Sequence, residues 1–214
     1  MTGEKTKAGV ANCVGYVLAG GASSRFGSDK AFAQFNGKAM LVRMCELLRT
    51  AIGEVRIVAS SSGYAPGETA VIPDLWPGEG PLGGIITALE DAQRHDATTT
   101  HCLIVSCDMP FLNAGWLAYL GARAAASPAQ IAVPRSQYGL EPLCACWRIS
   151  EVAALRQLFE GGTRKVTEVF THLDTEVLDE AHWKRFDSAG RLFWNMNTPQ
   201  DYQSALAAFA EERP

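Results

Sequence analysis

The chain has 214 residues, 47% of them hydrophobic and 20% charged, an ordinary globular make-up of a size for one domain or one domain with a modest extra layer. Nineteen Lys plus Arg against 23 Asp plus Glu give a formal net charge of −4, so no basic excess marks a nucleic-acid partner, and any phosphate ligand must be held locally. No apolar run approaches the roughly 20 residues that span a bilayer, so no membrane partner is expected and the chain reads as cytoplasmic.

The N-terminus carries two early lysines and an apolar patch, but Asn12 and Gly15 interrupt it, and residues 1–11 read as a disordered leader to a single domain over 12–212. Residues 13–18 (CVGYVL) form a buried strand. A glycine-rich loop follows. The apolar spacing of 40–51 predicts a helix closed by Gly53, and 54–59 (EVRIVA) a second strand. A Gly/Pro/Ser-rich stretch leads to an edge strand at 69–73 and a helix over 83–93. Residues 101–106 (HCLIVS) are apolar almost throughout, the mark of a strand covered on both faces. A helix over 116–126, strands at 131–134 and 143–148, and a helix over 151–159 come next. Residues 166–170 read as a helix turning into a strand, and 201–212 as a final amphipathic helix. Strands alternating with helices imply a mostly parallel sheet with helices on both faces, whose ligands sit beyond the carboxyl ends of the strands. The six cysteines (13, 45, 102, 107, 144 and 146) show no Cys-x-x-Cys and read as small buried reduced thiols. The four histidines show no metal-ligand spacing and receive no role.

Residues 17–31 read VLAGGASSRFGSDKA. Gly20 and Gly21 let the backbone turn through positive φ and approach phosphates closely, and consecutive N–H groups there can form an anion nest. Arg25 and Lys30 add a fork and a point charge. The spacing is neither Gly-x-x-x-x-Gly-Lys-Ser/Thr nor Gly-x-Gly-x-x-Gly, and a plain strand-to-helix turn with two solvated cations is the alternative. Residues 74–85 (DLWPGEGPLGGI) place a tight turn before a helix whose N-terminus can face an anion or a polar ligand, or can simply be capped by that turn. In 106–111 (SCDMPF) a carboxylate, Asp108, ends a buried strand; such a group needs a partner, and Mg²⁺ with few carboxylates and several phosphate oxygens is one. Thr198-Pro199 is an N-cap and N1 pair for the last helix.

Together these segments resemble the nucleotidyltransferases, most closely the molybdenum cofactor guanylyltransferases, over residues 14–202. The resemblance rests on Leu-Ala-Gly-Gly-x-Ser-x-Arg-x-Gly-x-Asp-Lys (18–30), Asp74 with Gly-Pro-Leu-Gly-Gly (80–84), Cys-Asp-Met-Pro-Phe (107–111), Glu-Pro-Leu-Cys-Ala (141–145), Gly-Thr-Arg-Lys (162–165) and Asn-x-Asn-Thr-Pro-x-Asp (195–201). Phe26 stands where the family commonly has methionine, and a bulky apolar residue is kept. The resemblance implies a three-layer, Rossmann-like α/β fold of the glycosyltransferase-A type and the transfer of GMP from GTP to molybdopterin, releasing pyrophosphate. It implies nucleotide contacts from Leu18, Ala19, Gly20, Gly21, Lys30, Asp74, Gly83 and Asp108, and catalytic roles for Lys30, Asp108 and Arg25. Asp108 would hold Mg²⁺, and Arg164, Lys165, Asn195 and Asn197 would face the acceptor. Other molybdenum cofactor biosynthesis proteins or molybdoenzyme chaperones would be the protein partners. The alternatives are a cytidylyltransferase on the same pterin, against which Gly20 argues because Ala-Ala-Gly is usual there; a sugar-phosphate nucleotidyltransferase; and a non-catalytic GTP-binding protein.

Overall fold

The structure is a computed structural model that describes residues 10–20, 29–60, 62–64, 66–187 and 189–211. In chain order these form β1 (Cys13–Leu18), a short pair β2 (Gln34–Phe35) and β3 (Lys38–Ala39), α1 (Met40–Ala51), β4 (Val55–Ala59), β5 (Ala70–Pro73), α2 (Pro81–His95), β6 (His101–Ser106) and α3 (Ala114–Ala126). There follow β7 (Ile131–Ser136), β8 (Gly139–Leu140), β9 (Cys144–Arg148), α4 (Val152–Glu160), α5 (Val166–Val169), β10 (Thr175–Leu178), α6 (Glu180–Trp183) and α7 (Pro199–Glu211).

The main sheet runs β10-β7-β9-β6-β1-β4-β5, with β8 paired to β7. β1 lies parallel to β4 and β6, and β4 to β5. β9 is antiparallel to both β6 and β7, so β7 and its parallel neighbour β10 point the same way as β6. The carboxyl ends of β1, β4, β5, β6, β7 and β10 therefore share one edge. The sheet separates two cores because successive residues of a strand face opposite sides. Val17 and Val105 pack with Met44 and Leu48 of α1 and Trp116 and Leu120 of α3. Tyr16 and Ile104 pack with Ile85 and Leu89 of α2 and Leu155 and Phe159 of α4. All six residues of β6 are buried, as a strand roofed on both faces requires.

The expected order of strands and helices stands, with shifts at the ends. α2 starts at Pro81 rather than Gly83, since proline at the first helical position forfeits no intrahelical hydrogen bond. α3 starts at Ala114, because the Asn113 side chain accepts from Trp116 N–H at 2.9 Å and caps the helix. Residues 166–170 do not pass from helix into strand. α5 is a single turn that buries Val166 and Val169, and β10 begins only at Thr175. The β2–β3 hairpin was not expected; Asn36 (φ 53°) and Gly37 (φ 74°) make its turn, a left-handed pair that Asn-Gly favours. All six cysteines are free and buried. No described helix is long and apolar enough to cross a membrane.

Candidate active site

Along this edge, β1 delivers Leu18, Ala19 and Gly20. Ala19 N–H still bonds the Val58 carbonyl of β4 at 2.8 Å, and Gly20 then turns away at φ +95°. A side chain at Gly20 would be strained by that φ and would sit 3.4 Å from Ser60 Oγ and 3.6 Å from the Tyr64 hydroxyl. Gly21 and Arg25 lie outside the described residues. At Asp29 one carboxylate oxygen accepts Ala31 N–H at 2.9 Å, capping a 3-10 turn over Lys30–Phe32. The other accepts the Tyr64 hydroxyl, whose ring stacks on Phe32 at 5.3 Å. Burial, and then the Asp29 bond, push the Tyr64 phenol up to about 12, so it stays a donor at neutral pH.

That anchored turn presents Lys30. Its Nζ donates to Asn197 Oδ1 at 2.9 Å and lies 3.7 Å from Asp108 Oδ2. The closer partner is a neutral amide, so much of the ammonium charge is left for an incoming anion. Asp108 stands just past the end of β6, where Ser106 Oγ donates to its Oδ1 at 2.5 Å. Its backbone carbonyl accepts Met196 N–H at 2.8 Å, which draws the 195–198 segment against β6. The segment is fixed from the other side by the start of α7. Thr198 Oγ1 accepts Asp201 N–H at 3.1 Å, while the Asp201 carboxylate accepts the N–H groups of Asn197 (3.0 Å) and Thr198 (2.8 Å). This is a reciprocal capping box extended by one residue. Lys30, Asp108 and Asn197 thus meet from three remote parts of the chain.

Glu141, six per cent exposed, sits behind Asn195. It accepts Ser136 Oγ at 2.6 Å, and burial raises its pKa against the pull of that bond and of the neighbouring Asn195 amide. Cys107 is next to Asp108, but burial holds its thiol well above the ordinary value, so it is no nucleophile.

On the donor side, Asp74 Oδ1 accepts Trp76 N–H at 3.0 Å and lies 3.3 Å from Thr87 Oγ1, which ties the turn to α2. Gly83 is there for close packing: a Cβ would fall 2.6 Å from Trp76 Cβ. At Gly84 a Cβ would sit 3.4 Å from Leu18 Cδ1, an ordinary van der Waals contact. Gly80, at φ +91°, offers the α2 N-terminus no side-chain cap. Arg164 donates to Glu79 at 2.8 Å and to the Phe159 carbonyl at 2.6 Å, with its guanidinium 4.0 Å from the Phe159 ring centre. Its partners lie at the Glu79 turn and on α4, not at Asn195 or Asn197. Lys165 is exposed at the start of α5.

The residues present suit a hard divalent cation. Asp108 is the carboxylate at the junction, with its side chain 19% exposed, and no described group of three or more His, Cys, Asp or Glu side chains forms an all-protein cage. That is the donor set of an ion which keeps waters and borrows phosphate oxygens from its substrate.

Residues 15–177 match the model of the MobA-like NTP transferase domain. The chain belongs to that family. A Chloroflexus aggregans relative named "Probable molybdenum cofactor guanylyltransferase" is 33% identical over 198 residues, 90% of this chain and 93% of its own. The crystal structure of molybdopterin-guanine dinucleotide biosynthesis protein A from Archaeoglobus fulgidus superposes with a TM-score of 0.76 at 25% identity, over 92% of this chain and 98% of that one. A Mycobacterium tuberculosis H37Rv protein solved in complex with manganese has a TM-score of 0.61 at 15% identity, over 92% and 98% of the two chains, a likeness of fold alone. In this member of the MobA-like family, Leu18, Gly20, Lys30 and Asp108 lie along one sheet edge, and Asn195 and Asn197 join them through the Met196 bond. Arg164 is bound up on the donor side. Two supporting groups, Tyr64 and Thr87, escaped the reading of the sequence, which named Asp201 within the 195–201 segment but gave it no role of its own. Of the three, only Asp201 left a signal, as the fourth residue of a Thr-x-x-Asp box.

Proposed function

We propose that this chain transfers GMP from GTP to molybdopterin and releases pyrophosphate. The observation that carries the reading is the convergence of Lys30, Asp108 and Asn197 at the carboxyl edge of the sheet, in a member of a nucleotidyltransferase family. An oxygen of the acceptor phosphate attacks the α-phosphorus of GTP; the new P–O bond forms as the bond to the β-phosphate bridging oxygen breaks. The attacking phosphate is already anionic, so no general base is needed. Lys30, with its charge only partly spent on protein partners, lies against the developing negative charge. Asn197 aims the lysine, and the 195–198 segment, clamped to β6 and to α7, keeps that aim fixed. Mg²⁺ bound at Asp108 would shield the phosphates and polarise the α-phosphorus. Leu18, Ala19 and Gly20, with Gly83 and the Asp74 turn, frame the nucleoside. Gly21 and Arg25 are assigned to the triphosphate on sequence resemblance. Asn195 faces the acceptor. Lys165 is kept as an acceptor contact, whereas Arg164 acts there only if it leaves Glu79.

The deciding experiment is pyrophosphate release with Mg²⁺ and molybdopterin, comparing GTP, CTP and ATP. Release with GTP alone is expected. Release with CTP instead overturns the choice of base, and no release with any nucleotide overturns the reaction.

A further inference from the structure

A separate cavity of about 460 Å³ opens along the same edge, at the end of β7 and beside β10. Its size is that of a small-molecule site. In the strand order it lies beyond Asp108, on the side away from the glycine turns. Its walls include Arg135 from β7, Tyr138 from the β7–β8 turn, and Trp183, Lys184 and Phe193 from the long connection into α7.

The acids around it are already matched. Asp179 pairs with His182 Nδ1 at 2.8 Å, Glu180 with Lys184 at 2.7 Å, and Asp187 accepts the N–H groups of Arg191 and Leu192 at 2.8 Å each. Among the described residues, Arg135 has no carboxylate in ion-pair range. The aromatic wall is held in place: Trp183 Nε1 donates to the Arg135 carbonyl at 3.0 Å, and its ring stands at 90° to Phe193 with centres 5.4 Å apart. Tyr138, 67% exposed, stands at the rim without being needed for the core. A pinned indole and an unmatched guanidinium suit a flat conjugated ring with acceptor atoms on its edge.

The cavity is joined to the reacting centre by a short series of contacts. Ser136 lines it and bonds Glu141; the Asn195 amide neighbours Glu141; and the next residue, Met196, bonds the Asp108 carbonyl. β7 is two strands from β6, about 10 Å across the sheet. A pterin with a phosphorylated arm has the reach to lie in the cavity and set its phosphate at Asp108. We infer that this cavity seats the pterin ring of the acceptor, with Trp183 as its stacking surface and Arg135 as its edge donor. The inference rests on the reaction proposed above.

The test uses Trp183→Ala and Arg135→Gln in the full chain. Two quantities are measured: the acceptor and GTP KM values in pyrophosphate release, and direct binding of 6-hydroxymethylpterin phosphate, read by its own fluorescence. Each variant is expected to raise the acceptor KM and weaken pterin binding tenfold or more, with the GTP KM and kcat within twofold. Arg135 is exposed, so Arg135→Gln keeps the test alive if Trp183→Ala misfolds. Normal turnover with unchanged acceptor KM in the folded variants overturns the pocket and leaves the reaction standing. If the wild-type protein releases no pyrophosphate, the reaction falls and pterin binding decides the pocket: binding that either variant weakens supports it, and binding that neither changes, or its absence in the wild type, overturns it.

Discussion

The half of the edge proposed for the nucleotide donor is made largely of backbone. Gly20 and Gly80 turn through positive φ, Gly83 admits no further atom against Trp76, and each lies within a few residues of a strand or helix end. Across Asp108 the half proposed for the acceptor is made of side chains: Asn195, Asn197, Glu141 and Ser136 come from a hairpin and a long connection, and each is held by a hydrogen bond. A site made of backbone is precise at once but fails when an atom is added. A site made of side chains can be adjusted one hydrogen bond at a time.

Six substitutions sharpen that contrast. At the junction, Asp108→Ala and Lys30→Ala should each cost about a hundredfold in turnover, the scale on which a single charge-stabilising group acts. A loss below tenfold in pyrophosphate release would move the charge centre elsewhere. On the donor side, Gly83→Ala puts a Cβ 2.6 Å from Trp76 Cβ. Overpacking should lower stability by about 1–3 kcal/mol in urea and raise the GTP KM; an unaffected variant would show that Trp76 can yield. On the acceptor side, Thr198→Ala removes one arm of the capping box, for about 1 kcal/mol of stability. Its turnover should fall only severalfold, since Asn197 loses part of its support rather than its side chain. Asp201 adds a pH signature there. Burial works to raise its pKa, but the bonds from Thr198 and Asn197 outweigh it and hold the carboxyl below its ordinary value. The stability it contributes is present above the ordinary carboxylate pKa of about 3.9 and is lost as pH falls through the lowered one. Asp201→Asn should therefore flatten the acid limb of a denaturation series, and an unchanged limb would take the clamp away from Asp201. Least of all, Cys107→Ala should leave turnover within twofold of the wild type, because its thiol is buried and protonated.

The same contrast explains what could be read in advance. β1 and α1 fall at their expected bounds, since a buried strand and an amphipathic helix announce themselves by local period. Gly20, Lys30 and Asp108 could be singled out as candidates because glycine and charge stand there next to apolar runs, and the family resemblance supplied the roles proposed for them. The antiparallel course of β9 was not, because 143–148 carries the same apolar pattern in either direction. Nor was the pairing of Arg164 with Glu79: the two are 85 residues apart, and only the docking of α4 beside the α2 turn brings them together. Tyr64 gave no sign, since its role depends on where Asp29 arrives after the glycine loop.

Lys30 and Asn197 are 167 residues apart, and their bond closes the site. Because synthesis runs from the N-terminus, β1, α1, β4, α2 and β6 are all made before Asn197. Until then Lys30 lacks the amide that aims it. The pair is complete only once the segment leading into the last helix has been added.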